Sequence, residues 1–223
     1  DVGNFSNKLY NIANGRLYSS YLGVHDWADH FNPSMSPLAL LYLLVPSTNW
    51  VTLAKTIAYV SVPPLIYLIC RELFNNKEKA WLVTVILALA WMLIYAPALN
   101  SFFFEFQPSS LAPPFILYAF LCFKCKRWVI FWLLMFFLLG FKEHLGAVWI
   151  GFGFYMVLAT PQKKMGLFLI TGGTIAVYMI IFKVMPFYRN YQDSWSMVIG
   201  PFQDIPEKII YLFKILIPFG FIP

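Results

Sequence analysis

The residue types that can perform chemistry fall in four short polar clusters, at 1–5, 29–33, 104–108 and 142–144, each beside Gly, Pro or aromatic residues. Asp, Glu, His and Lys are the residue types that can transfer protons, supply charge or bind metal ions. Hydrophobic runs separate the clusters. If those runs are membrane helices, counting them puts all four clusters on one side of the bilayer, which predicts a single site.

Composition predicts an integral membrane protein. The chain is 60% hydrophobic and 12% charged, with a mean hydropathy of +0.68, and one soluble domain could not hide that much apolar surface. The apolar runs are 50–70, 80–99, 111–123, 128–141, 145–159 and 166–185. A helix needs about 20 residues to cross a hydrocarbon core of about 30 Å. The runs 111–123, 128–141 and 145–159 are shorter, so they must borrow flanking residues, thin the bilayer or end inside a protein-lined cavity.

Basic residues predict the orientation of these runs. They lie in connections that alternate with those carrying the polar clusters: Arg71, Lys77 and Lys79, then Lys124, Lys126 and Arg127, then Lys163 and Lys164. Cytoplasmic loops carry an excess of Lys and Arg, so the polar clusters face outward in a multi-pass protein. The net charge of +6 is then a signal of topology, and nucleic-acid binding is not expected.

Residues 1–49 are expected to form an outward loop with two interfacial helices. Residues 4–14 have the pattern of a short amphipathic helix closed by Gly15. The apolar stretch 36–45 is too short to cross a bilayer. It is either the first half of the next helix or a second interfacial helix, and the turn at 46–49 favours the second interpretation.

Residues 50–223 are expected to form a transmembrane bundle of about six spans and the start of another. The chain opens without Met and stops within the apolar stretch 209–223. We therefore expect it to be part of a longer protein.

Lys142, Glu143 and His144 have the strongest physical case as site residues. They join two apolar runs of 14 and 15 residues, and such a hairpin is only about 21 Å deep. Its tip should lie below the outer membrane surface, where ionisable groups are costly unless they line a wet or paired cavity. The alternative is an interfacial turn with Lys142 snorkelling and Glu143 as its surface partner.

Two interpretations stay open for Asp29 and His30. With His25 and Asp26 nearby, they can supply ligands to a divalent ion together with Glu105. Alternatively, they can belong to a polar loop that lines the site without metal. The spacing matches no closed metal motif, which favours the second interpretation. Asp1 is likewise either a helix cap or a catalytic base, and Lys183 either a phosphate contact or a snorkelling residue.

Several separated motifs carry a resemblance to a known family. They run in order over nearly all of residues 1–190: Asp1-x-Gly3-x-Phe5, Asn11 and Gly15, Asp29-His30-Phe31-x-Pro33, Phe104-Glu105-Phe106-Gln107-Pro108, Lys142-Glu143 and Lys183-Val184-Met185-Pro186. With these motifs the chain resembles DUF2079, a family of uncharacterised prokaryotic membrane proteins grouped with the GT-C glycosyltransferases. The resemblance implies an all-α polytopic, GT-C-like bundle in the cytoplasmic (inner) membrane of a prokaryote.

The reaction implied by this resemblance is sugar transfer from a polyprenyl-phosphate donor to an acceptor hydroxyl at the outer face. A carboxylate would take the acceptor's proton, and a cation or divalent metal ion would stabilise the departing phosphate. Asp1 and Glu143 are the predicted catalytic residues, and Lys142 is the predicted phosphate partner, held by Glu143. The other predicted substrate-binding residues are Asp29, His30, Glu105, Gln107, His144 and Lys183.

Three positions depart from the family pattern, which usually reads Asp-Phe-His-Pro in the loop and Lys-Glu-Asp in the later motif. Here Glu105 replaces the first Asp, Gln107 the His and His144 the last Asp. An amide does not titrate near neutral pH, so we expect no acid–base role for Gln107.

Two other classes of function fit a membrane protein of this composition. A transporter or flippase places polar groups near the midplane on broken helices, whereas the runs 50–70 and 80–99 hold only Lys55 and weakly polar residues. A non-enzymatic assembly subunit would leave the polar clusters dispersed. Convergence of the clusters in space therefore separates a site from a structural role.

Overall fold

The computed structural model describes residues 2–19, 23–95, 99 and 106–188, which belong to one compact unit. Within them the protein is all-helical apart from a two-residue antiparallel pairing of β1 (Tyr18–Ser19) with β2 (Val24–His25). The helices are α1 (Val2–Ala13), α2 (Asp26–Asp29), α3 (Ser36–Leu44), α4 (Asn49–Leu73), α5 (Lys77–Leu89), α6 (Ala112–Lys124), α7 (Trp128–Leu139), α8 (Gly146–Ala159) and α9 (Lys163–Tyr188). The prediction of an all-α fold is confirmed.

Short turns of other helical types adjoin these elements. Three 3₁₀ turns lead into α3, α6 and α8, at Pro33–Met35, Pro108–Leu111 and Glu143–Leu145. A π-helical turn follows α5 at Ala90–Ile94, and another interrupts α9 at Ile180–Val184.

Helix α1 is amphipathic and packs its apolar face against α3 and the core. Phe5 and Leu9 are buried, and the Ser6 hydroxyl lies 2.7 Å from the hydroxyl of Tyr42 in α3. Gly15 follows α1 with φ of 72°, a left-handed conformation that glycine adopts without steric cost. The chain therefore turns sharply and leads through the β1–β2 pairing to α2.

Two of the described helices are long and apolar enough to cross a membrane, by length and composition. They are α4, with 25 residues, and α9, with 26, and only 22% of the most apolar window of each is buried. Leu53 and Ile57 of α4 and Phe182 of α9 are about half exposed. A core helix of a soluble protein would bury such side chains, so this exposed apolar surface fits contact with lipid.

Three consecutive helices are much shorter. Helices α6, α7 and α8 have 13, 12 and 14 residues, or about 18–21 Å each at 1.5 Å per residue. They are joined by tight connections, so the start of α6, the end of α7 and the start of α8 lie at the same end of the helices. We call this the polar end, because it carries Gln107 and residues 142–144.

Helices α8 and α9 pack closely through paired glycines. A Cβ atom on Gly153 would stand 2.6 Å from the carbonyl oxygen of Gly166, and one on Gly166 would stand 2.7 Å from that of Gly153. Real Cβ atoms do not approach so closely, so both positions require glycine. This contact sets the separation between α9 and the short helices.

Candidate functional site

Contacts among the four polar clusters form a closed ring at the polar end. Phe5 of the first cluster packs against Phe106 of the third, with ring centroids 5.3 Å apart. The third cluster is hydrogen-bonded to the fourth, and the fourth to the second. An ion pair joins the second cluster back to α1. We call these joined residues the polar ring.

The ion pair is formed by Lys8 and Asp29. Lys8 Nζ donates to Asp29 Oδ2 at 3.1 Å, and the Lys8 side chain is 3% exposed. The same ammonium lies 5.4 Å from the centroid of the Phe5 ring, a favourable position for a cation over an aromatic face. Sequence analysis did not predict Lys8 as a site residue, although its place three residues after Phe5 on an amphipathic helix was a usable signal.

His30 and Glu143 connect the second cluster to the fourth. His30 Nδ1 and Glu143 Oε1 are 3.1 Å apart. Burial opposes ionisation of Glu143, but the hydrogen bond and proximity of His30, a backbone hydrogen bond and the charge of Lys142 outweigh it, so the pKa of Glu143 is lowered. Glu143 Oε2 is buried without a hydrogen-bond partner among the described residues. The carboxylate is therefore held on one side only.

Lys142 turns to the third cluster. Its Nζ donates to Gln107 Oε1 at 2.8 Å. Burial lowers the pKa of Lys142, and the negative charges of Glu143 and Asp29 work against that change. Phe106, beside Gln107, is fully buried and anchors the loop that presents the amide.

Ser34 and Gly140 hold the second cluster against the end of α7. Ser34 donates twice, from its backbone N to the carbonyl of Gly140 at 2.8 Å and from Oγ to the carbonyl of Phe137 at 2.6 Å. A Cβ on Gly140 would overlap Ser34 Oγ and stand 3.1 Å from Ser34 N. This close approach brings His30 to Glu143, and sequence analysis missed it because it depends on a contact between distant segments.

Asp26 is a further buried carboxylate, close enough to Lys8 and Asp29 of the polar ring to interact with them electrostatically. It is 1% exposed, and neither carboxylate oxygen has a hydrogen-bond partner among the described residues. Burial raises the pKa of Asp26 to about 6, the charge of Lys8 lowers it, and Asp29 raises it further. A buried carboxylate without donors is costly when ionised.

The structure brings together five of the predicted residues, Asp29, His30, Gln107, Lys142 and Glu143. His144 is exposed, although it is close enough to interact electrostatically with Lys142, Glu143 and His30. Lys183 is exposed on the π turn of α9 and has no ion pair among the described residues. Asp1 and Glu105 lie outside the described residues. The expected pairing of Lys142 with Glu143 is electrostatic only, because their hydrogen bonds are made to Gln107 and His30.

The described part of the chain contains no set of side chains arranged to bind a metal ion. There, no three His, Cys, Asp or Glu side chains are grouped so that they could hold an ion. Asp29, His30 and Glu143 instead form ion pairs and hydrogen bonds with other residues of the polar ring.

An open apolar groove of about 420 Å³ adjoins the polar ring. Phe31, Pro33 and Pro37 line one side, and Leu133, Phe136 and Phe137 of α7 line the other. Phe31 directly follows His30 in the chain. Polar and apolar binding surfaces therefore lie side by side.

Comparison with known proteins identifies a family. No curated protein and no solved structure matches the chain. The family model DUF2079, described as a predicted membrane protein, matches residues 1–223, in agreement with the motifs and with the two helices able to span a bilayer. The chain belongs to the DUF2079 family of predicted membrane proteins.

Proposed function

We propose that the protein is a multi-pass GT-C type glycosyltransferase that moves a sugar from a polyprenyl-phosphate donor to an acceptor hydroxyl at the outer face of a prokaryotic cytoplasmic membrane. The polar ring carries the proposal, because it gathers cations and carboxylates from segments as far as 113 residues apart. Burying these charged groups does not by itself stabilise the fold, since desolvating them costs free energy. Perturbed ionisable groups of this kind cluster at functional sites.

The two chemical requirements of the reaction have matching groups in the polar ring. Lys142, held by Gln107, supplies positive charge for the departing phosphate. Glu143 and His30 supply an acid–base pair for the acceptor's proton. A phosphate leaves readily, so the reaction does not require a strong general acid.

The lengths of the helices support a lipid-linked donor. A site at the ends of α6–α8 would lie below the outer surface of a core about 30 Å thick, within reach of a substrate that is carried in the bilayer. The apolar groove beside His30 offers a surface for the adjoining part of a polyprenyl chain. The alternation of basic and polar connections supports a multi-pass topology with this end outward.

Two features favour transfer over transport or assembly. The polar ring lies at the ends of helices, whereas transporters place substrate sites near the midplane. The clusters also converge, which is not expected of a purely structural subunit.

The test is transfer of radiolabelled sugar by the membrane-embedded protein from a panel of polyprenyl-phosphate sugars. Lys142→Met should reduce transfer by about 100-fold, as removal of one electrostatic stabiliser commonly does. Lys164→Met is the matched control, because Lys164 is exposed at the opposite, basic end. Equal rates for the two variants would remove Lys142 from the mechanism. No transfer from any donor by the unmodified protein would overturn the proposal, and substrate-dependent flux across vesicles would replace it with transport. The same assay is run with and without EDTA, and loss of transfer in EDTA would show that the reaction requires a divalent ion.

A further inference from the structure

The His30 ring lies between two carboxylates from different segments. Its Nδ1 is 3.1 Å from Glu143 Oε1, and its Nε2 is 4.0 Å from Asp29 Oδ1. An ionised carboxylate only accepts hydrogen bonds, so Nδ1 must carry the hydrogen that joins it to Glu143. In a neutral imidazole the other nitrogen then holds a lone pair. A separation of 4.0 Å from Asp29 is too long for a hydrogen bond.

We propose that His30 Nε2 is the atom that takes the proton of the acceptor hydroxyl, and that Glu143 is the positioning residue that sets its tautomer. This differs from the base expected from the family resemblance, Asp1, which lies outside the described residues. This assignment rests on the proposed glycosyl transfer and names the base within it. The same arrangement, a base oriented by a carboxylate, recurs in unrelated enzymes that activate a hydroxyl.

Accessibility separates the roles of the two residues. The His30 side chain is 33% exposed, whereas that of Glu143 is 16% exposed and has its Oε1 engaged by the ring. His30 is therefore the better placed to touch an acceptor.

The charges around His30 suit a ring that becomes positive. The Glu143 and Asp29 carboxylates lie 3.1 Å and 4.0 Å from its two ring nitrogens, and negative charge near the ring favours its protonated form. Among the described residues, His144 also interacts with His30 electrostatically, while Lys8 pairs with Asp29 and Lys142 acts on Glu143 and Asp29.

The step balances within this set of groups. The acceptor oxygen forms a bond to the anomeric carbon, and the bond from that carbon to the phosphate oxygen breaks, leaving its electron pair on the phosphate. The hydroxyl proton moves to His30 Nε2, which yields an imidazolium beside Glu143. Lys142 balances charge on the departing phosphate, and the imidazolium returns its proton to solvent after the products leave.

The first test is the pH dependence of transfer. The unmodified protein should lose activity at low pH, because a base that already carries a proton cannot accept the one from the hydroxyl. His30→Gln should lower the rate at least about 100-fold and remove this acidic limb. Glu143→Gln should lower the rate at every pH, because the amide no longer fixes the His30 tautomer. Glu72→Gln, an exposed acid at the far end of α4, should behave as the unmodified protein. Asp26→Asn should retain the decline of the rate at low pH. The assignment would be overturned if Asp26→Asn lost this decline, or if His30→Gln kept it unchanged.

The second test does not depend on turnover. The chain has three histidines, so ¹⁵N spectra of histidine-labelled protein in nanodiscs can be assigned with single His→Gln variants. We expect His30 to show a protonated Nδ1 and an unprotonated Nε2, and Glu143→Gln to raise the population with a protonated Nε2. A protonated Nε2 in the unmodified protein at neutral pH would overturn the role of His30 even if transfer is found. The expected tautomer without transfer from any donor would instead count against the glycosyltransferase.

Discussion

Lys8 and Asp26 are the most deeply buried charged residues among those that the structure describes, with 2% and 1% of the whole residue exposed. They differ in how they are satisfied. Lys8 is paired with Asp29 at 3.1 Å, whereas Asp26 has neither oxygen bonded within the described part of the chain. A buried carboxylate of this kind resists ionisation. Its cost to the fold should therefore depend on pH.

Asp26→Asn tests this dependence through stability. The pKa of Asp26 rises from 3.8 to about 6 on folding. The contribution of Asp26 to stability is therefore fully present below pH 3.8 and is lost as the pH rises through about 6. The loss is about 3 kcal/mol, at about 1.4 kcal/mol per pKa unit. Thermal unfolding between about pH 4 and 8 should show the decline for the unmodified protein and not for Asp26→Asn. Glu78→Gln, an exposed acid, is the control and should retain the decline.

Lys8→Met should extend the pH dependence caused by Asp26, whereas Asp26→Asn should abolish it. The charge of Lys8 lowers the pKa of Asp26, so its removal should raise that pKa and extend the decline in stability to higher pH. The measurement is the same series of unfolding curves. Superimposable pH profiles for Lys8→Met and the unmodified protein would show that Lys8 does not act on Asp26.

At the scale of elements, the contact between Ser34 and Gly140 determines where α3 begins relative to α7. Gly140→Ala places a methyl group against Ser34 Oγ and should displace the 3₁₀ turn Pro33–Met35, at a cost of about 1–3 kcal/mol. We expect transfer to fall and the His30 ¹⁵N spectrum to lose the signature of its bond to Glu143. The double variant Gly140→Ala, Ser34→Ala removes the overlapping hydroxyl and should recover part of both signals. Full activity in Gly140→Ala would show that the contact does not position the site.

Close packing of α8 on α9 makes a second prediction at this scale. Gly153→Ala places Cβ 2.6 Å from the carbonyl oxygen of Gly166, and backbone cannot yield cheaply, so we expect a loss of about 1–3 kcal/mol. A Cβ on Gly151, in the same helix, would meet no atom within 4 Å. Gly151→Ala should be neutral or stabilising by up to about 1 kcal/mol. Equal unfolding temperatures for the two variants would contradict the close contact.

Helix boundaries reveal what hydropathy can and cannot predict. The run expected at 80–99 begins as α5 at Lys77, because the Asn76 side chain accepts hydrogen bonds from the backbone N of Glu78 and Lys79. Likewise α9 starts at Lys163, three residues before the predicted run. The first turn of such a helix contains charged residues, which adopt helical backbone but do not belong to the apolar run. A search for apolar runs therefore places the starts of such helices too late.

For the whole molecule, the central prediction concerns topology. Cys125 is exposed at the turn between α6 and α7, at the basic end, and Asn14 is exposed just after α1, near the polar ring. A membrane-impermeant maleimide should label Asn14→Cys in intact cells and Cys125 only after permeabilisation. Cys70 and Cys122 are buried and should react slowly from either side. Labelling of both exposed positions from the same side would contradict the orientation.

The sequence by itself determined the helical class, the membrane environment and the end of the helices at which the polar clusters meet. These properties follow from hydropathy and from the alternation of basic connections, which are local and additive along the chain. Sequence motifs also identified the family that the match over residues 1–223 establishes.

Only the tertiary structure decided which polar groups are partners. Lys142 and Glu143 are adjacent in sequence and were expected to pair, but Lys142 has extended backbone, with φ of −167° and ψ of 147°. Successive side chains of extended backbone point in opposite directions, so Lys142 reaches Gln107 while Glu143 reaches His30. The burial of Lys8 and Asp26 likewise depends on how α1 and α2 fit the core. Such pairings are set by long-range packing, which no local pattern of residues encodes.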